Sequence, residues 1–369
     1  MANSQLLTGL ERCRDHLPLP LQSGDYGLLM NQASVDRDWN YAIDVLRESS
    51  PAKLCALFSP QHGIWGEEQA NMIETGHFRE SPWGVPLYSL YSETRMPTDQ
   101  MLASIDTLVI DLQDVGTRVY TYAWTVVNCL KACARNQKTV LILDRPNPLG
   151  GQIVEGPILQ RKFESFVGML PIPMRHALTL GEIARMARVE LQLDVDLQIL
   201  DVVGWKREQM LDQTGLPWTA PSPNLPRWES SLLYPGMVLL EGTNLSEGRG
   251  TTTPFQLLGA PFIDPFALDE ELKSLEPAGV RLRPVRFRPT FDKWKDQSCG
   301  GIAFEVVEPT EVRSYELVVD ILMAIKRLWP LSFEWLPPPY EYEWQRMPID
   351  ILSGSEELRL RIDGLANSS

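Results

Sequence analysis

The feature that most constrains the fold is an alternation. Short apolar runs and helical patterns follow one another through the first 200 residues. Tyr26–Met30, Lys53–Phe58, Thr107–Leu112, Thr139–Leu143 and Leu197–Leu200 read as strands, and Val85–Tyr91 as an extended segment. Helical patterns fall between them, near Trp39 to Arg47, Thr98 to Ser104, Tyr120 to Asn136 and Thr179 to Leu193. Thr179 and Glu182 have the spacing of a capping box. Such alternation implies right-handed crossovers and a parallel sheet with helices on both faces. No GxGxxG follows the first strand, so the standard dinucleotide fingerprint is absent and no cofactor is expected.

The segment Pro217–Pro226 holds four prolines and marks a candidate boundary. Beyond it a smaller α/β unit is expected. Its helices lie near Ala267 to Leu275 and Ser314 to Leu328, and its strands at Val285–Phe291 and Gly301–Val307. A proline-rich aromatic stretch, Pro337 to Trp344, follows. At 369 residues, two domains are the expectation, residues 1–230 and 231–369. A net charge of −14 argues against nucleic acid and anionic membranes as partners, without forbidding a local basic pocket. No basic region leads into an apolar one at the N-terminus, and no stretch nears 18 uninterrupted apolar residues. The five cysteines are odd in number and lack a CxxC pair, and no histidine lies at ligand spacing from Cys129 and Cys133. A reducing, cytoplasmic location is expected, with no structural zinc.

In an open parallel sheet, ligands bind beyond the carboxyl ends of the strands. Asn31 and Gln32 follow the first strand and Ser59-Pro-Gln-His-Gly63 the second. Ser89 and Tyr91 follow Leu87; Asp111, Gln113, Asp114, Gly116 and Arg118 end the fourth, and Asp144, Arg145 and Asn147 the fifth. His62 could act as acid, base or ligand, or simply bond its own turn. Asp111 could act directly or pair with Arg118, and Asp114 could hold the turn before Gly116. Asp144–Arg145 could be an internal ion pair, and Arg175-His176, before the Thr179 helix start, could meet a ligand or the loop. Trp65, Tyr91, Tyr120, Tyr122 and Trp124 could stack on a sugar or belong to the core. His62, Asp111, Asp114 and Asp144 do not make a recognised metal spacing, and neither GxSxG nor a Walker sequence is present.

A second polar concentration is Glu241-Gly-Thr-Asn-Leu-Ser-Glu-Gly-Arg-Gly-Thr-Thr-Thr-Pro-Phe255. It is too polar for a core strand and too rich in glycine for a helix interior, yet apolar runs, Met237–Leu240 and Phe255–Leu258, tether both ends. Such a loop, carrying Glu241, Asn244, Glu247 and Arg249, suits a binding site.

The ordered set Gly27–Asn31, Pro60–Gly63, Ser89–Tyr91, Asp111–Tyr122, Leu143–Gly151, Pro171–His176, Pro221–Asn224 and Glu241–Thr252 resembles the NamZ family of exo-β-N-acetylmuramidases, formerly DUF1343. The resemblance runs from about Gly27 to the C-terminal region. It implies a Rossmann-like domain without a dinucleotide, a smaller α/β C-terminal domain, and an active cleft between them. It also implies release of N-acetylmuramic acid from the non-reducing end of peptidoglycan fragments in cell-wall turnover or recycling. The substrate expected is thus a small muropeptide or saccharide. One position departs from the family pattern: its Pro-Glu-His-Gly is here Pro60-Gln61-His62-Gly63. That Glu is a candidate for the family's catalytic carboxyl, and Gln cannot exchange a proton in its place. Either another carboxyl serves, among Glu67, Glu68, Glu74, Asp111, Asp114 and Glu247, or the chain is an altered sugar-binding protein. An acetamido sugar can supply its own nucleophile, so one acid can suffice. The expected catalytic set is Gln61, His62, Asp111, Asp114 and Glu247. The expected substrate contacts are Asn31, Tyr91, Arg118, Tyr120, Asp144, Arg145, Arg175, His176, Asn224, Glu241, Asn244 and Arg249, with Arg249 foremost for the lactyl carboxylate.

Overall fold

The computed structural model describes residues 6–69, 73–74, 76–77 and 81–366. The chain forms two compact units. Of the described residues, one contains those up to Gly116 with Tyr120–Gln152 and Ala177–Pro223; the other contains Thr117–Val119, Ile153–His176 and those from Asn224 onward.

The first unit is built on six strands: β1 (Asp25–Leu29), β2 (Lys53–Ser59), β3 (Leu87–Ser89), β4 (Thr107–Ile110), β5 (Thr139–Leu143) and β6 (Leu197–Leu200). Every neighbouring pair is parallel and the order is β3-β2-β1-β4-β5-β6, the doubly wound arrangement. β1, β2, β4 and β5 each carry four consecutive buried residues, as strands covered on both faces must. Full burial of side chains such as Leu28, Leu57, Val109 and Leu141 stabilises by about 1.5–3 kcal/mol each. The flanking helices are α1 (Gly9–Arg12), α2 (Ala42–Ser49), α3 (Asp99–Leu102), α4 (Tyr122–Asn136) and α5 (Leu180–Glu190). The Thr179–Glu182 capping box forms in both directions at the start of α5. Helix α2 begins three residues later than its pattern suggests, because Trp39 has φ +61° in a turn closed by the Val35–Tyr41 bridge.

The second unit holds a smaller antiparallel sheet, β7 (Leu257–Ala260), β8 (Val280–Phe287) and β9 (Cys299–Val306), in the order β7-β9-β8. It also contains α6 (Trp228–Met237), α7 (Pro265–Leu272), α8 (Ser314–Leu328), α9 (Pro348–Ser353) and α10 (Glu357–Ala366). Helix α8 has its expected bounds. β8 begins five residues before the expected strand, since Arg281, Arg283 and Arg286 interrupt the apolar signal of an otherwise alternating segment. Helices α6 and α8 pack so closely that a Cβ on Gly236 would stand 2.0 Å from the Ser314 carbonyl oxygen. Among the described residues no helix is long and apolar enough to cross a membrane.

Candidate functional site

The β1/β4 adjacency is where the strand order reverses, the usual ligand position in such sheets. Register places Leu29, Phe58, Ile110 and Ile142 on one rung, so Asn31, Gln61, Asp111 and Arg145 all emerge just past the same edge.

Gln61 is buried and its Oε1 accepts from the Thr121 hydroxyl at 2.6 Å. His62 adopts φ +74°, a left-handed conformation costly for a residue with a Cβ, and Gly63 follows at φ +81°. The His62 Nδ1 lies 2.7 Å from the Glu68 carbonyl oxygen. A carbonyl can only accept, so Nδ1 carries the hydrogen in this contact. The turn is pinned at its far end: a Cβ on Gly66 would meet Gln32 Nε2 at 2.1 Å, and Gln32 donates to the Ala220 carbonyl at 2.8 Å.

Asn31 donates to the Tyr122 hydroxyl at 2.6 Å and to the Pro221 carbonyl at 2.9 Å, while Tyr122 donates to Pro221 at 2.6 Å. Burial pushes the Tyr122 hydroxyl's pKa up, which keeps it a donor. Asp111 is fully buried and pairs with Arg145 rather than Arg118: Arg145 Nε and Nη2 meet its two oxygens at 2.6 and 2.7 Å. Asp114 accepts from the Gly116 amide at 2.7 Å and so holds the turn. Asp144 accepts from the Thr179 hydroxyl at 2.7 Å and the Gly181 amide at 2.9 Å, tying β5 to the start of α5. Burial raises its pKa to about 6 despite those bonds. Asp144 therefore has a structural occupation that the strand-end rule does not reveal. Tyr91, Tyr120, Tyr122 and Trp124 are buried, the core reading of the aromatic set. Tyr91 lies under the Arg95 guanidinium at 4.6 Å, and the Tyr120 and Tyr122 rings are 4.6 Å apart. Trp65 alone of that set is exposed, by 47%.

The second unit's candidates form a charged cluster around the polar loop. Glu241 takes Arg249 Nη2 on one oxygen and the Tyr340 hydroxyl on the other, both at 2.7 Å. Glu247 meets Lys293 at 2.7 Å and Arg249 Nε at 3.5 Å. Lys293 also donates to the Leu240 carbonyl at 2.8 Å, and Arg249 lies over the Phe255 ring at 5.2 Å. Burial raises the Glu241 pKa, with the Glu247 charge adding to it and Arg249 opposing. Burial also works against the Glu247 charge, yet Lys293 and Arg249 hold that carboxyl below its ordinary range. Arg249 is raised, since its two glutamates outweigh its burial. Asn244 ties the loop to the backbone of residues 332–334, donating to the Ser332 carbonyl at 2.8 Å and accepting from the Glu334 amide at 3.2 Å.

Two further arginines are spent on structure. Arg118, fully buried, donates to the carbonyls of Pro157, Ile172 and Leu352, and burial lowers its pKa to about 10. Arg175, equally buried, donates to Glu155 at 2.7 Å and to the Val312 carbonyl at 3.1 Å. Its pKa is lowered by burial against the pull of Glu155. His176 and Asn224 are buried in the same unit. Sequence reading missed Thr121, Lys293 and Glu155: Thr121 sits between two aromatics inside the Asp111–Tyr122 motif, and Lys293 and Glu155 lie outside the polar loops. Tyr340 lies in the aromatic proline-rich stretch, the one signal pointing toward it. Among the described residues no group of three or more His, Cys, Asp or Glu side chains is arranged to hold a metal.

Family models described as the N-terminal and C-terminal parts of exo-β-N-acetylmuramidase NamZ match residues 26–229 and 232–369. The chain belongs to the NamZ family. It is 42% identical over 329 residues to the peptidoglycan β-N-acetylmuramidase NamZ of Bacillus subtilis (strain 168), spanning 89% of this chain and 79% of that protein. Two solved DUF1343 family proteins from Bacteroides fragilis NCTC 9343 share the architecture. One has a TM-score of 0.86 at 32% identity, covering 97% of this chain and 91% of its own. The other has a TM-score of 0.74 at 30% identity, covering 98% and 91%.

Proposed function

We propose that this NamZ-family chain is a glycoside hydrolase that releases N-acetylmuramic acid from the non-reducing end of peptidoglycan fragments, in cell-wall turnover or recycling. The observation that carries the reading is the chain-wide match to both NamZ parts, with 42% identity to a peptidoglycan β-N-acetylmuramidase. The strained His62 turn at the carboxyl edge of the parallel sheet supports placing the chemistry there.

The substrate's acetamido group supplies the nucleophile, so the protein needs one group to protonate the leaving oxygen. Gln61 stands where the family has Glu, and a carboxamide cannot do this. His62 is the first candidate, followed by the carboxyl Glu68; Glu247 is a weaker one because Lys293 and Arg249 favour its charged form. Asp111 is a weaker candidate because Arg145 occupies both its oxygens. The lactyl carboxylate is best assigned to Arg145. Its Nε and Nη2 are used on Asp111, which leaves Nη1 for a ligand. At Arg249 a substrate carboxylate would compete with Glu241 and Glu247.

The meeting of the two family models at residues 229–232 supports a domain boundary near 230. Five free cysteines, four of them buried, support a reducing, cytoplasmic setting. The test is hydrolysis of a chromogenic β-N-acetylmuramide beside the matching glucosaminide. Release of chromophore from the muramide alone is expected. Saturable binding of the muramide with no release would replace hydrolysis by sugar binding, and inertness toward both would sink the proposal.

A further inference from the structure

We propose that Trp65 is the stacking platform for the sugar on the leaving-group side of the scissile bond. The proposal rests on the reading of the Gln61–His62 turn as a muramide site and deepens it.

Trp65 is held rather than loose. Its ring stacks on Trp83 at a centroid distance of 5.3 Å and 27°, and meets Tyr41 edge-on at 6.2 Å. Trp83 and Tyr41 both pack against the buried core of the first unit. Its neighbour Ile64 is buried, and Gly66 is pressed against Gln32. An indole fixed this way loses little freedom when a ligand covers it. It nevertheless keeps 47% of its surface exposed, while Tyr91, Tyr120, Tyr122 and Trp124 are all buried. Exposed tryptophans are commonly unremarked surface. This one stands three residues from His62, on a single turn whose backbone reverses at His62, Gly63 and Gly66, all with positive φ.

The side of the bond follows from exposure. An exo-acting hydrolase encloses the terminal sugar, whereas the leaving-group sugar runs out toward solvent. A half-exposed aromatic suits the second. The apolar face of a pyranose ring fits an indole as other flat apolar groups do, and aromatic contacts contribute enough for about a threefold to tenfold change in affinity.

The experiment compares half-saturation of the full-length protein by N-acetylmuramic acid alone and by its β-linked disaccharide with N-acetylglucosamine, in wild type, Trp65→Ala, Trp65→Phe and Trp344→Ala. Trp344 is a second exposed tryptophan and controls for loss of surface indole. Expected is a rise of about threefold to tenfold for the disaccharide in Trp65→Ala, with the monosaccharide unchanged, most of the loss recovered in Trp65→Phe, and no change in Trp344→Ala. Equal weakening for both sugars would make Trp65 a prop of the turn and overturn the proposal, as would no change for either. If wild type is saturated by neither sugar, the muramide-site reading itself has failed, and wild type alone reveals that.

Discussion

The carboxyl edge of the parallel sheet and the Glu241–Phe255 loop are both dense in buried polar groups, but they satisfy them differently. At the sheet edge most partners are neutral: Gln61 with Thr121, and Asn31 with Tyr122 and a carbonyl. Asp111–Arg145 is the charged exception. In the loop, two glutamates share an arginine, a lysine and a tyrosine. A neutral network tolerates an isosteric exchange such as Glu to Gln, because shape and most bonds persist. A buried charged cluster does not, because removing one charge strands another. On the proposed reading, in which residue 61 is a Glu in the family pattern, the difference would let that Glu become Gln61 without dismantling its surroundings.

The comparison is tested most strongly at that position. Gln61→Glu should raise hydrolysis of a chromogenic muramide by about 10²–10⁴-fold, the usual contribution of a placed acid, with little change in melting temperature. A lower rate in the variant would show that the acid lies elsewhere, and His62→Ala, Glu68→Ala and Glu247→Ala become the next measurements. A large fall in melting temperature would break the claim that the sheet edge is permissive.

The loop should behave oppositely. Lys293→Met leaves Glu247 buried beside a single, longer contact with Arg249 and should destabilise by about 3–5 kcal/mol in denaturant unfolding. Adding Glu247→Gln should recover much of that loss. Losses that simply add would mean the pair is not coupled.

Much of the architecture was legible in the chain. The sheet strands were visible as apolar runs because both faces are covered, and α8 because its apolar face repeats. The first half of β8 was not visible because the exposed Arg281 and Arg283 break its apolar run, and β7, four residues long, sat inside an apolar run with no period. Site residues were harder. Asp144 and Arg145 are neighbours in sequence, yet one anchors α5 and the other grips Asp111. Arg118 is four residues from Asp114, yet it serves backbone carbonyls as distant in sequence as Leu352. Polar loops show where side chains concentrate, but which partner each one finds is decided by packing between segments far apart in the chain.

The two regions also differ in how pH acts on them. Asp144 has a folded pKa raised to about 6 from 3.8, so its folded form favours the proton. Its contribution is fully present below about pH 4 and is lost as pH rises through 6. Glu247 is lowered, so its contribution is present above its unfolded value and lost as pH falls through the folded one. Asp144→Asn should flatten the stability profile between about pH 4 and 6, by at most about 3 kcal/mol. Glu247→Gln should act only on the more acidic limb. Urea midpoints across that range separate the two, and an unchanged slope in Asp144→Asn would reject the assignment.

The smallest effect probes what holds residue 61. The Thr121 hydroxyl donates to Gln61 Oε1 at 2.6 Å in a buried setting. Thr121→Val keeps the shape and removes the donor, and should cost about 0.5–1.5 kcal/mol. In the Gln61→Glu background the same change has a second consequence. There the hydroxyl would donate to a carboxylate, and a donor to the charged form lowers a pKa. Removing it should move the carboxyl's limb of the pH–rate profile upward, so that the acid stays protonated to higher pH. A limb that does not move would mean residue 61 is not held through Thr121 when it carries a charge. The neutral description of the sheet edge would then apply to this chain's glutamine and not to the acid it replaces.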